Sequence, residues 1–227
     1  MREPADVQPT LPRVALWLRR HLRRGARVID IGANIGDYTV LAASVVGERG
    51  HVYSFEPAPR NAERLRQRCA GLANVSVFEQ AVGGRRRNVR LYLDADHDTQ
   101  HSLGSHNVGR AGGSLQVRQV ALDELDMLDH IDLIKIDAQG AELGIVEGAR
   151  QLLERCRPLM VLEFWPYGMR RLRTEPEALL EALTGLGYDV FRLSKSGRAR
   201  DPERIHTLLT DPSPSRWHKL DIVALPR

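Results

Sequence analysis

Apolar residues recur along the chain in two alternating rhythms, and the alternation predicts the fold. Leu11, Val14, Leu18 and Leu22 fall at helical spacing and Gly25 stops the run, which predicts a helix over about residues 11–24. Arg27 to Ile31 follows as a β-branched strand ending at Gly32, and the next helix carries Tyr38, Leu41, Ala42 and Val45. His51 to Glu56 repeats the strand pattern and stops at Pro57. Ala62, Leu65, Cys69 and Leu72 mark another helix, and Val75 to Phe78 reads as a third strand. Successive βαβ units require a parallel sheet, because right-handed crossovers carry the helices over its faces.

Residues 84–120 interrupt that rhythm. Val89 to Leu93 and Leu115 to Val120 read as half-buried strands around a loop rich in glycine, serine and histidine, an insertion expected beside the active site. The alternation resumes with a buried strand from Ile131 to Asp137, a single helix from about Ala141 to Leu153, and a strand from Leu159 to Phe164. A helix from Pro176 to Leu186 and strands at Tyr188 to Leu193 and Asp221 to Leu225 complete the pattern, with Pro212, Pro214 and Trp217 in the last loop. The expected fold is α/β and Rossmann-like: a mostly parallel seven-stranded sheet, helices on both faces, an antiparallel finish and a β-hairpin insertion. No internal repeat or low-complexity linker divides the 227 residues, so one domain is expected, with residues 1–26 as an N-terminal helical extension.

Composition narrows the classes. Hydrophobic residues make up 42% and charged residues 27%, close to the globular average. No apolar run approaches the roughly 20 residues that span a bilayer, and residues 1–6 lack a signal-peptide pattern, so a cytoplasmic protein without membrane contact is expected. Cys69 and Cys156 stand far apart without neighbouring ligands, which argues against a disulfide scaffold or a zinc site; both are expected in helix cores. The net charge of +4 comes from arginines spread over many elements, and the densest run, Arg85 to Arg87, sits in a turn. This pattern speaks against nucleic acid as the partner.

The chemistry concentrates in Asp30-Ile31-Gly32-Ala33-Asn34-Ile35-Gly36, at a strand-to-helix turn where backbone N–H groups face a ligand. A dinucleotide fingerprint places glycine where Asn34 and Asp37 stand, and an acidic side chain there repels phosphate. The same turn suits the zwitterionic end of S-adenosyl-L-methionine (SAM): Asp30 accepts from the α-ammonium, and the helix N-terminus favours the α-carboxylate. Glu56 ends the next strand about twenty residues on, the spacing at which a carboxylate reaches unphosphorylated ribose hydroxyls. Gln80 and Ala81 close the third strand, where they meet an adenine edge. The predicted cofactor set is therefore Asp30, Gly32, Ala33, Asn34, Gly36, Thr39, Glu56, Pro57, Gln80, Ala81 and Asp137.

With these residues in place, the chain resembles the FkbM family of SAM-dependent methyltransferases over roughly residues 28–166. Three blocks carry the resemblance: Val28 to Gly36 with Phe55-Glu56-Pro57; Ser102-Leu103 with Val120 to Leu125; and Ile131 to Glu142. The third is the most specific. Family members typically read Lys-Ile-Asp-Val-Glu-Gly-Ala-Glu there, so Lys135, Asp137, Gly140 and Glu142 match while Ala138 and Gln139 depart. Leu162 to Pro166 resembles the family's following strand. The resemblance implies O-methylation of a hydroxyl on a sugar or small natural product, with SAM as donor and S-adenosyl-L-homocysteine (SAH) as product.

Methyl transfer from a sulfonium needs an aligned acceptor oxygen and a dry site, and an aliphatic hydroxyl also needs a base. Asp137, at the end of the fourth strand, is the first candidate; its rival role is to bond the N–H groups of the Gln139-Gly140 turn. His101 and His106 flank Ser102-Leu103 and are further catalytic candidates. Ser102, Glu142, Glu163 and Trp165 are expected on the substrate side, with Glu142 also suited to its own helix N-terminus and Tyr167 beside Trp165 as an apolar wall. No ligand cluster stands at metal spacing, so no metal is expected. Three other readings stay open: an RNA or protein methyltransferase, an NAD-dependent oxidoreductase, and a non-catalytic SAM-binding protein. The amphipathic first helix with Trp17 offers either a lid or a homodimer face.

Overall fold

The computed structural model describes residues 12–95, 101–105, 107–109, 111–194, 196–197 and 219–227. The first half of the chain forms α1 (Arg13–His21), β1 (Arg27–Ile31), α2 (Asp37–Val46), β2 (His51–Phe55), α3 (Pro59–Cys69), β3 (Val75–Phe78), β4 (Ala81–Val82), β5 (Arg87–Asp94) and β6 (Ala111–Val120). The second half forms β7 (Leu133–Ile136), α4 (Glu142–Glu147), α5 (Arg150–Cys156), β8 (Leu159–Phe164), α6 (Pro166–Arg171), α7 (Pro176–Gly185), β9 (Tyr188–Arg192) and β10 (Leu220–Pro226). Leu11, Pro212, Pro214 and Trp217 lie outside the described residues.

The main sheet has seven strands in the order β3-β2-β1-β7-β8-β10-β9. Its first five are parallel, and β10 runs antiparallel between β8 and β9, as the sequence pattern predicts. The chain builds outward from β1 to β3 on one side and from β7 on the other, so the order reverses between β1 and β7. A crevice opens at the carboxyl ends of the strands at such a switch point. Alternation along the strands sorts the two faces. Ile29, Ile31, Ile134 and Ile136 join Ile145, Leu152, Leu179 and Leu183 on one side, while Val28, Val52 and Leu133 join Trp17, Leu18, Ala42 and Val46 on the other. Each such large side chain buried contributes roughly 1.5–3 kcal/mol.

The insertion folds as expected into an antiparallel hairpin of β5 and β6, and it also recruits β4 to make a separate three-stranded sheet. Tyr92 exchanges backbone hydrogen bonds with Ser102, which turns the loop after β5 back toward the main sheet. Three details differ from the sequence reading. The apolar face of α1 is consumed inside the chain, with Trp17 0% exposed, because α1 packs on α2 and the sheet; it is part of the core and forms no wall of the cleft described below. Cys69 is buried in α3, but Cys156 is only half-buried at the end of α5.

The third difference is that the helix expected over 141–153 is broken into α4 and α5. The physical cause is a side chain from another element. Asp123 accepts from Gln151 N–H at 2.9 Å and Leu152 N–H at 2.8 Å, while its own N–H donates to Gly148 O at 2.9 Å. The carboxylate thus caps a fresh helix start that local sequence does not signal. Asp123→Ala should therefore lower stability by about 1 kcal/mol, within roughly 0.5–2, in equilibrium urea unfolding.

Candidate active site

The site grows from one pair of facing positions. Asp30 on β1 and Lys135 on β7 are register partners, so both side chains leave the sheet on the α2 face. Their charges meet at 3.1 Å with almost no solvent exposure. Thr39 of α2 donates its hydroxyl to Asp30 Oδ2 at 2.7 Å, and Ser54 of β2 lies 2.9 Å from that hydroxyl. Lys135 Nζ also donates to Gly32 O at 2.8 Å and Ile31 O at 3.3 Å, which pins the turn that follows β1. Burial pulls the Lys135 ammonium down, but Asp30 and Asp137 more than offset it, so the net shift is upward and the group stays charged. Asp30 is therefore a buried partner of Lys135 and Thr39 and does not line the cleft. Predicted from sequence as a direct ligand for an ammonium, it is used instead to neutralise one inside the protein.

The turn itself is shaped by close approach. Gly32 takes φ +70°, and a Cβ there would collide with the Asp137 carbonyl oxygen; Gly36 takes φ +94° with Leu65 packed against it. Asn34 adopts the left-handed region at φ +50°. Its N–H donates to Glu56 Oε2 at 2.8 Å, and Ala58 N–H donates to Glu56 Oε1 at 2.9 Å. Burial pushes Glu56 up to about 7, against the pull of those two N–H bonds. Its carboxylate stands in the wall of a cleft of about 270 Å³ at the strand switch point.

Gly32, Ala33, Asn34, Glu56, Pro57, Gln80, Ala81 and Asp137 line that cleft, as do His101 and Ser102 from the insertion. Gly36 and Thr39, like Asp30, stand behind the wall. His101 Nδ1 accepts from Asp94 N–H at 3.1 Å, which leaves the ring proton on Nε2. In this tautomer His101 is a donor, and Asp137 is the better placed acceptor of a proton. His106 lies outside the described residues. Tyr38, Asn61 and Lys135 also line the cleft. The sequence reading assigned them no site role: an aromatic or amide in a first helical turn has no distinguishing pattern, and Lys135 was noted only as part of the third block.

On the other side of Asp137 the structure assembles a polar cluster. Glu142 is fully buried and accepts at Oε1 from Ala138 N–H at 3.1 Å and Gly140 N–H at 3.0 Å, so it holds the turn that Asp137 was the rival candidate to hold. Its Oε2 has no hydrogen-bond partner among the described residues, and burial pushes the group up to about 7. Glu163, at the end of β8, lies 3.0 Å from both Gln139 Nε2 and Lys219 Nζ. Burial and the charge of Asp137 push it up to about 8, while Lys219 pulls it back. Trp165 is buried with Lys219 Nζ 4.6 Å from its ring centre. Glu142, Glu163 and Trp165 do not line the cleft. Lys219, separated from Glu163 by 56 positions in the sequence, carried no signal there. Among the described residues no group of three or more His, Cys, Asp or Glu could hold a metal ion, and no helix is long and apolar enough to cross a membrane.

The seven-stranded order β3-β2-β1-β7-β8-β10-β9 with β10 antiparallel, shared with the solved methyltransferases below, is the class I methyltransferase fold. The chain belongs to the FkbM methyltransferase family: the family's methyltransferase domain matches residues 30–190. It is similar to 2-O-methyltransferase NoeI of Sinorhizobium fredii, 27% identical over 146 residues, covering 57% of this chain and 60% of NoeI. The crystal structure of methyltransferase FkbM from Methylobacillus flagellatus superposes with a TM-score of 0.58 at 17% identity, over 94% of this chain and 48% of that one. Fibrillarin of Aeropyrum pernix, solved with natively bound SAM, gives a TM-score of 0.50 at 17% identity, over 93% of this chain and 73% of that one. Those two likenesses show the fold. The chain spans about 60% of the length of NoeI and about half that of the Methylobacillus protein.

Two outcomes follow from these charges. Lys135→Met strands the buried Asp30 carboxylate and should cost about 3–5 kcal/mol in urea unfolding, with much of the loss recovered when Asp30 is also made apolar. Glu56 and Glu142 hold their protons to about 7 when folded, against 4.5 as free side chains. Between those values the folded state binds more protons than the unfolded one, so stability falls as pH rises. Melting temperature should therefore decline from about pH 5 to pH 8, and Glu142→Gln should flatten the slope.

Proposed function

We propose that the protein is a SAM-dependent O-methyltransferase acting on a hydroxyl of a small natural product or sugar, as a cytoplasmic enzyme. The observation that carries this reading is the buried Glu56 carboxylate, set in the cleft wall against the N–H of the glycine turn, within an FkbM-family chain. A carboxylate has about four acceptor sites; two are taken by Asn34 and Ala58, so the others remain for vicinal ribose hydroxyls. Gly32 lines the cleft, and its missing side chain lets the turn close on the Asp137 carbonyl. These features fit a nucleoside with unphosphorylated ribose, and Asp37 in the same wall disfavours a pyrophosphate. The SAM natively bound in fibrillarin supports the same cofactor for this fold.

When bound, SAM supplies an electrophilic methyl carbon, whose bond to sulfur breaks with its electron pair going to sulfur as the bond to the acceptor oxygen forms. Glu56 and the glycine turn hold the nucleoside, Lys135 keeps that turn rigid, and Asp137 accepts the hydroxyl proton. His101 and Ser102 lie in the same wall and bound the space beside Asp137. The 2-O-methyl transfer named for NoeI supports a hydroxyl acceptor. Calorimetric titration with SAH tests the reading. The wild type should bind in the micromolar range, and Glu56→Ala should weaken binding by roughly 1–3 kcal/mol. A folded wild type that does not bind SAH would sink it.

A further inference from the structure

Gln139 is the residue on which the acceptor side of the cleft converges, and every polar group of its side chain is used. Its Nε2 donates to Asp137 Oδ1 at 2.7 Å and to Glu163 Oε2 at 3.0 Å. Its Oε1 accepts from Lys219 Nζ at 2.6 Å. An ammonium has only donors, so Lys219 can face only the amide oxygen, and the NH₂ must then face the two carboxylates. The backbone cannot turn either. Gln139 sits in the left-handed region at φ +53°, and its carbonyl accepts from Ser102 Oγ at 3.2 Å and Asn107 Nδ2 at 2.9 Å. A strained non-glycine residue persists where its surroundings over-determine it, and such strain clusters at functional sites.

Lys219 is held in turn. It lies over the Trp165 ring and pairs with Glu163 at 3.0 Å, and neither Trp165 nor Lys219 lines the cleft. Asp137 does line it. With Oδ1 tied to Gln139, its Oδ2 lies 4.0 Å from Lys135 Nζ. We propose that Lys219 is a positioning residue for Asp137: its ammonium fixes the Gln139 amide, and the amide holds the Asp137 carboxylate facing the reacting centre. Trp165 and Glu163 serve as the seat of that ammonium. The inference rests on the methyltransferase reading and adds to it the device that aims the base.

Sinefungin, in which a CH–NH₂ group replaces the sulfonium S–CH₃, tests this without knowledge of the acceptor. Its ammonium projects toward the base, so an aimed Asp137 should make the wild type prefer sinefungin over SAH by about tenfold or more, the scale of a charged hydrogen bond. Lys219→Met should cut that preference to within about twofold and leave SAH affinity unchanged, while Lys219→Arg retains it. Gln139→Met, which carries no charge change, should also lose the preference. The sign is diagnostic. Through space alone, removing the Lys219 charge would favour a cationic ligand and raise the preference. A Lys219→Met protein that keeps or increases its preference overturns the proposal, as does a wild type that binds SAH with no preference. Absence of SAH binding by the wild type is a different result, which removes the function itself. Cooperative melting of each variant verifies folding, and Gln139→Met reads the same clamp should Lys219→Met not fold.

Discussion

The buried pair of Lys135 and Asp30 ties together almost everything that defines this molecule. The two residues face each other across β1 and β7, where the sheet order reverses, so their attraction acts at the strand junction that opens the crevice. A buried charge without a partner is far more costly than a paired one, so each residue requires the other. The remaining donors of Lys135 reach the carbonyls of Ile31 and Gly32. The strand pairing and the shape of the ligand-facing turn are therefore fixed by one ammonium. Thr39 brings α2 into the same network, which sets the helix N-terminus at the rim of the cleft.

Charge is distributed unevenly around that centre, and the unevenness assigns the work. Beside the glycine turn Glu56 is buried and raised by desolvation, and the backbone N–H groups of Asn34 and Ala58 hold it. Beyond β7, Asp137, Glu142 and Glu163 crowd together. Like charges so close cannot all remain ionised without compensation. The structure separates them by giving Glu142 to a turn, Glu163 to Lys219, and Asp137 to the cleft with Gln139 between. A glutamate at position 139, as in the FkbM pattern, would add another carboxylate to this cluster. The amide instead donates to two of them.

Much of the frame was legible in the sequence because it depends on short-range periodicity. The strands from Val28 to Phe78, the pairing of two βαβ units and the hairpin of the insertion follow from which positions must be apolar, and the structure has them where the pattern placed them. The break between α4 and α5 was not legible, since its cap is supplied by Asp123 from a separate element. Trp17 looked like an available face because the helix containing it is amphipathic; only packing reveals that the apolar stripe is already covered by α2 and the sheet.

The sequence by itself determined the fold class, the glycine turn and the carboxylate at the end of β2, because each is set by residues near one another in the chain. It also placed Lys135 and Asp137 in one block that resembles the family, and named Asp137 alone as a candidate base. Which carboxylate faces the cleft, which caps a turn and which pairs with Lys219 was decided only by tertiary structure. All three depend on burial, and the pairing of Glu163 and Gln139 with Lys219 depends on a partner 56 and 80 positions away. Electrostatics acts through the distances that folding creates, and no local pattern encodes them.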